Sequence, residues 1–205
     1  MKKVAIFGGA FNPITLGHLR VAKVLMERLP DFEIWLSPTY ESTLNKSMLD
    51  PKHRIEMCKL VAQKFPNIKV FDYEIHHKLS SGTLAFYKKL KSETKYNDYD
   101  FYFVIGMDQA NNINKWVNYI VLINAVKFIV VPREGEKEKI SSSWYKRSNH
   151  IFIDKPDQRK ISSTVIRENL LKFYAGDEGY LDYLKQDLTP EVLKYILKNK
   201  LYGEN

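Results

Sequence analysis

Short apolar runs alternate along this chain with segments whose apolar residues return every three or four positions. Val4 to Phe7 is the first run, and Phe32 to Leu36, Ile68 to Phe71, Phe101 to Ile105 and Val126 to Val131 follow it. Runs without polar interruption suit strands buried on both faces of a parallel sheet. Between them, Leu19, Ala22, Leu25, Met26 and Leu29 recur at helical spacing and predict a helix from about Leu16 to Leu29. Asp50-Pro51 supplies a cap and a first-turn proline for a helix running to about Lys64, with Pro66 closing it. Thr83 to about Lys91 reads as another helix. From about residue 162 the chain is helical, with Ser162 or Ser163 capping one helix and Thr189-Pro190-Glu191 opening a second through Lys198. This alternation predicts one α/β domain over residues 1–205, built on a mostly parallel sheet.

Three stretches read as loops: Ser37 to Leu49, His76 to Gly82 and Arg133 to Arg147. Loops of more than about a dozen residues in a compact domain are usually functional or mobile. Parallel sheets bind ligands outside the carboxyl ends of their strands, so these loops are expected to ring a site.

Composition narrows the setting. Of 205 residues, 44% are hydrophobic, and no apolar run approaches a membrane span. The chain enters a strand almost at once, without the features of a secretory signal, so a cytoplasmic address is expected and no membrane partner. The one cysteine, Cys58, excludes an internal disulfide, and its place on a helix face with Ile55, Ala62 and Phe65 predicts a buried thiol. The net charge of +8 suits anionic ligands. Basic residues are spread among acidic ones without a recognition motif, which argues against a nucleic-acid partner. A homo-oligomer is left open.

Two clusters carry candidate chemistry. After the first strand come Gly8, Gly9, Ala10, Phe11, Asn12, Pro13, Thr15, Gly17 and His18, leading into a helix. Glycines let a phosphate approach the backbone, and a helix start offers unpaired N–H groups and a positive dipole end. Thr15 and His18, three apart, are expected to face the same anion. The second cluster is Ile161-Ser162-Ser163-Thr164-Val165-Ile166-Arg167, where hydroxyls at a helix start either cap it or turn to phosphate, with Arg167 one turn in. His76, His77 and His150 receive no role and are expected to be solvated. Lys137 and Lys139, alternating with Glu136 and Glu138, read as a solvated loop.

These two clusters resemble the paired signatures of the nucleotidylyltransferase superfamily. Further features resemble its nicotinate or nicotinamide mononucleotide adenylyltransferase branch: Asn45-Lys46, His53-Arg54, Gly106-Met107-Asp108, Trp116, Val130-Val131-Pro132-Arg133 and the closing Tyr195-Ile196 and Leu201-Tyr202. Ala10 stands where Thr or Ser is usual, and Asn12 where Asp is usual. The resemblance implies a single Rossmann-like, doubly wound sheet with helices on both faces and a small helical C-terminal extension. It also implies transfer of the adenylyl group of ATP to a pyridine mononucleotide, releasing pyrophosphate. His18, Arg167 and Lys46 are the implied catalytic residues. Gly8, Gly9, Ala10, Phe11, Thr15, Ser163 and Thr164 join them around ATP. Thr83, Gly106, Asp108, Trp116 and Arg133 are implied for the mononucleotide, with Trp116 stacking on the pyridine ring and Asp108 accepting from ribose hydroxyls. Magnesium is implied as a cofactor held mainly by ATP phosphates, without a dedicated protein metal site.

Spacing of the bacterial type favours nicotinate mononucleotide. Nicotinamide mononucleotide, a pantetheine-phosphate adenylyltransferase and a non-catalytic nucleotide-binding homologue stay open.

Overall fold

The structure is a computed structural model that describes residues 1–41, 48–80, 82–132, 140–153 and 161–203, the side chains of 140–142 excepted. Its centre is a six-stranded sheet formed by β1 (Lys2–Gly9), β2 (Phe32–Pro38), β3 (Ile68–Val70), β4 (Tyr99–Gly106), β5 (Lys127–Val131) and β6 (Ile151–Phe152). The strand order is β3-β2-β1-β4-β5-β6, and every neighbouring pair is parallel. That is a Rossmann-like, doubly wound sheet, in which the order reverses between β1 and β4.

Why the strands read as unbroken apolar runs is visible in β1. Val4 and Ile6 enter one core while Ala5 and Phe7, pointing oppositely, enter the other. The Ala5 core is covered by α1 (Leu16–Arg28), α2 (Pro51–Ala62) and the C-terminal helices α7 (Ser163–Tyr174), α8 (Tyr180–Asp187) and α9 (Pro190–Lys198). The Val4 core is covered by α3 (Tyr73–His76), α4 (Gly82–Lys91), α5 (Met107–Ala110) and α6 (Tyr119–Ala125). Asp50 caps α2 by accepting from Lys52 N–H at 2.8 Å, and Thr189 caps α9. Hydrogen bonds between His53 and Tyr195 Oη, 2.8 Å, and from Tyr174 Oη to Leu201 O, 3.2 Å, fasten the chain's end to the domain.

Three expectations need correction. The stretch from Arg133 to Arg147 is not all loop, because Ile140–Lys146 is a 3-10 helix that buries Trp144 and Tyr145 against the sheet. His150 is not solvated: it is 7% exposed, and its Nδ1 accepts from Phe128 N–H at 3.2 Å. His77 stacks on Tyr73 with ring centroids 3.9 Å apart, and only its neighbour His76 lies exposed. Cys58 is fully buried, as its helix face required. Among the described residues no helix is long and apolar enough to cross a membrane.

Candidate active site

The site begins where β1 and β4 leave the carboxyl edge of the sheet, at Gly9 and Gly106, on either side of the reversal in strand order. Between β1 and α1 the chain makes a loop whose carbonyl oxygens are claimed by donors from distant segments. Thr39 N–H donates to Gly9 O at 3.0 Å, Arg54 Nη1 to Ala10 O at 2.8 Å, Arg167 Nη1 to Asn12 O at 2.7 Å and Ser163 Oγ to Pro13 O at 2.9 Å. A carbonyl oxygen repels phosphate, whereas an N–H attracts it. A loop whose carbonyls are bound elsewhere is therefore suited to anions.

Gly9 and Gly17 permit this packing. A Cβ on Gly9 would stand 3.2 Å from the Phe11 ring, and one on Gly17 would stand 3.2 Å from Ile161 Cβ, at the entry to α7. Asn12 is buried and its Oδ1 accepts from Leu49 N–H at 3.2 Å. An aspartate can accept the same bond, so the departure from the usual residue preserves this tie. Ala10 is exposed, with its Cβ outside the cores.

His18 occupies the first turn of α1 and is half-buried. Its Nδ1 lies 3.0 Å from Thr15 N and 2.9 Å from Thr15 Oγ1. A backbone N–H only donates, so Nδ1 is the acceptor and the neutral ring carries its proton on Nε2. The hydroxyl of Thr15 must then also donate to Nδ1, while its oxygen accepts from His18 N–H at 3.4 Å. Thr15 is 2% exposed, so its side chain serves the helix start and the imidazole. The Phe11 ring meets His18 edge-on with centroids 5.1 Å apart and is itself buried, which leaves its backbone as the part able to meet a ligand.

Across from this loop, α7 brings Ser163, Thr164 and Arg167. Ser163 spends its hydroxyl on Pro13 O, and Arg167 Nη2 reaches Thr164 Oγ1 at 3.2 Å. Ser162 occupies the cap position without a side-chain cap bond. Of the residues implied for the mononucleotide, Gly106 ends β4, and its N–H donates to Gln109 Oε1 at 3.2 Å. Asp108 lies in α5, Trp116 follows the 3-10 turn Ile113–Lys115 and packs half-buried on the Val4 core, and Thr83 opens α4. Lys46 and Arg133, with Lys137 and Lys139, lie outside the described residues.

Spacing alone gave no role to Arg54, which is 0% exposed and donates to three backbone carbonyls. A signal was present: Arg54 shares its helix face with Cys58 and Val61, four and seven positions on, and a charge on an apolar face needs a reason. Burial lowers its pKa from the ordinary arginine value, yet a guanidinium stays charged at neutral pH. Nearby, burial pushes the Glu74 carboxyl up to about 7, against the pull of the Ser37 hydroxyl and Arg54. Among the described residues no group of three or more His, Cys, Asp or Glu is placed to hold a metal ion, and the donors at the loop are N–H groups, hydroxyls and guanidinia. Such a set fits an anion and not a resident cation.

The Cytidylyltransferase-like family matches residues 6–169. The chain is 33% identical to a probable nicotinate-nucleotide adenylyltransferase of Clostridium acetobutylicum, over 98% of this chain and 100% of that one. It is 32% identical to the nicotinate-nucleotide adenylyltransferase of Bacillus subtilis, over 98% and 99%. In three dimensions it is similar to the Plasmodium falciparum nicotinic acid mononucleotide adenylyltransferase complexed with NaAD, with a TM-score of 0.79, 26% identity and 98% coverage of both chains. A family model that matches most of the chain, and relatives about a third identical over nearly its whole length, show that the chain belongs to the nicotinate-nucleotide adenylyltransferase family of cytidylyltransferase-like proteins.

Proposed function

We propose that this protein joins ATP and nicotinate mononucleotide to give deamido-NAD and pyrophosphate, a step of NAD biosynthesis. A phosphate oxygen of the mononucleotide attacks the α-phosphorus of ATP, the new P–O bond forms, and the bond to the β-phosphate oxygen breaks with its electron pair leaving on pyrophosphate. The attacking phosphate is already anionic at neutral pH, so the step needs no base. Its barrier lies in bringing two polyanions into line and in charge building on the α-phosphate oxygens.

The observation that carries this reading is the acceptor role of His18 Nδ1, which puts the ring proton on Nε2 and makes that nitrogen the donor for a developing negative charge. Nε2–H donates to an α-phosphate oxygen, helped by the positive end of α1. Backbone N–H groups of the Gly9–Phe11 turn receive the phosphates. Arg167 neutralises the leaving pyrophosphate through the guanidinium hydrogens not spent on Asn12 and Thr164, and Lys46 assists it. Trp116 stacks on the pyridine ring, while Asp108, Gly106, Thr83 and Arg133 line the mononucleotide's side. Magnesium, held mainly by the ATP phosphates, would offset the charge on their oxygens, and no described residue is assigned as its ligand.

The test is pyrophosphate release with ATP and, in separate reactions, nicotinate mononucleotide, nicotinamide mononucleotide and phosphopantetheine. Turnover is expected with nicotinate mononucleotide. Activity with phosphopantetheine alone overturns the branch, and none with any acceptor overturns catalysis. His18→Ala should lower kcat by roughly two to three orders of magnitude, as for loss of one transition-state donor, with an unchanged fold.

A further inference from the structure

Arg54 is a buried cation whose hydrogen bonds go to neutral groups. Its Nε donates to Leu49 O at 3.0 Å, Nη1 to Ala10 O at 2.8 Å and Nη2 to Thr39 O at 2.9 Å. The three acceptors belong to different places in the fold. Ala10 is in the loop after β1, whereas Thr39 and Leu49 flank the segment that carries Lys46. One planar fork therefore joins the phosphate loop to both ends of the loop after β2.

The contact with Ala10 also fixes a direction. In a trans peptide the C=O of one residue and the N–H of the next point oppositely. With Ala10 C=O turned into the protein toward Arg54, the Phe11 N–H of the same peptide unit points away from that guanidinium. A free peptide at this position can rotate and present its oxygen to an incoming phosphate instead, at an electrostatic cost. Arg54 removes that alternative without touching a ligand itself.

We propose that Arg54 is a positioning residue for ATP: it turns the Ala10–Phe11 peptide so that its N–H serves the phosphates, and it ties Thr39 and Leu49 to that peptide. The role rests on ATP being the substrate. It depends on the fork and not on charge alone, because a lysine carries the same charge on one nitrogen and cannot span three acceptors held by Nε, Nη1 and Nη2.

Arg54→Lys and Arg54→Gln are compared with the wild type for thermal midpoint, ATP affinity by calorimetry, and steady-state constants with ATP and nicotinate mononucleotide. Arg54→Lys should fold and bind ATP about tenfold more weakly, the effect of losing one or two charge-assisted bonds. The KM for the mononucleotide should stay within about twofold, a split that general loosening of the fold does not produce. Phe11 N–H should exchange with solvent more slowly when ATP binds the wild type, and this slowing should shrink in Arg54→Lys. Normal ATP affinity in Arg54→Lys overturns the proposal, as do equal losses for both substrates or failure of both variants to fold. A wild type that binds ATP but does not turn over nicotinate mononucleotide defeats the functional reading alone, and one that binds no ATP defeats both.

Discussion

The backbone N–H of Thr15 donates to Nδ1 of His18 at 3.0 Å, so the residue that starts α1 also decides which imidazole nitrogen holds the proton. The Thr15 hydroxyl reinforces the arrangement from 2.9 Å while its oxygen caps the helix. Thr15→Val keeps the shape and the backbone donor but loses both hydroxyl bonds. Stability should fall by about 1 kcal/mol, the usual worth of an N-cap. A similar loss of orientation should lower kcat roughly fivefold. Thr15→Ser should restore both, and denaturant titration with initial rates measures them.

Ser163 reaches back 150 residues to hold Pro13 O. Ser163→Ala leaves that carbonyl without its donor, at about 1 kcal/mol. The KM for ATP should rise roughly fivefold while the mononucleotide KM holds, since the bond shapes the loop on the ATP side.

Glu74 gives a pH signature. Its folded pKa, raised by burial to about 7, lies above the unfolded value near 4.5. As pH rises between those values the unfolded chain releases its proton first, so stability present in acid is lost by pH 8. Glu74→Gln removes this titration and retains an acceptor for Ser37. Its thermal midpoint should exceed that of the wild type at pH 8 and match it near pH 5.

His150 acts in the opposite sense. Burial lowers its pKa from 6.5 to about 4, so the unfolded chain takes up a proton that the folded one refuses. Stability should fall as pH drops through that window. His150→Gln should flatten the decline in melts recorded from pH 7 to pH 4.

Cys58 is exposed to neither solvent nor reagent: it is 0% exposed, and burial raises its thiol pKa. The native protein should not react with a disulfide reagent at pH 8, whereas the unfolded chain should react with one equivalent. Cys58→Ser should cost about 1–3 kcal/mol by burying a hydroxyl without changing turnover.

The sheet was legible in the sequence because its strands are apolar on both faces, as Val4 to Phe7 illustrate. The two-residue β6 carried no such run, since Ile151 and Phe152 are only half-buried at the edge. Short elements such as α3 and α5 rest on tertiary contacts beyond the reach of local periodicity. Within the site, Gly9, Thr15, His18, Ser163 and Arg167 were legible as types, and the structure brings them to one loop. Their contacts were not legible. Thr15 and Ser163 serve the imidazole and a carbonyl, and Arg167 binds Asn12 O, because backbone groups turned inward have no signature in the order of residues. Arg54 was visible only as part of a family resemblance, and its role was hidden for the same reason, since its three partners are main-chain oxygens.

The loop after β1 is made well before α7, and its Asn12 and Pro13 carbonyls wait for donors 155 and 150 positions later. A nascent chain that has released β1 to β5 from the ribosome still lacks α7. During synthesis the nucleotide pocket is therefore finished only as Arg167 emerges, so premature release before that point should yield a sheet without a working grip on nucleotide.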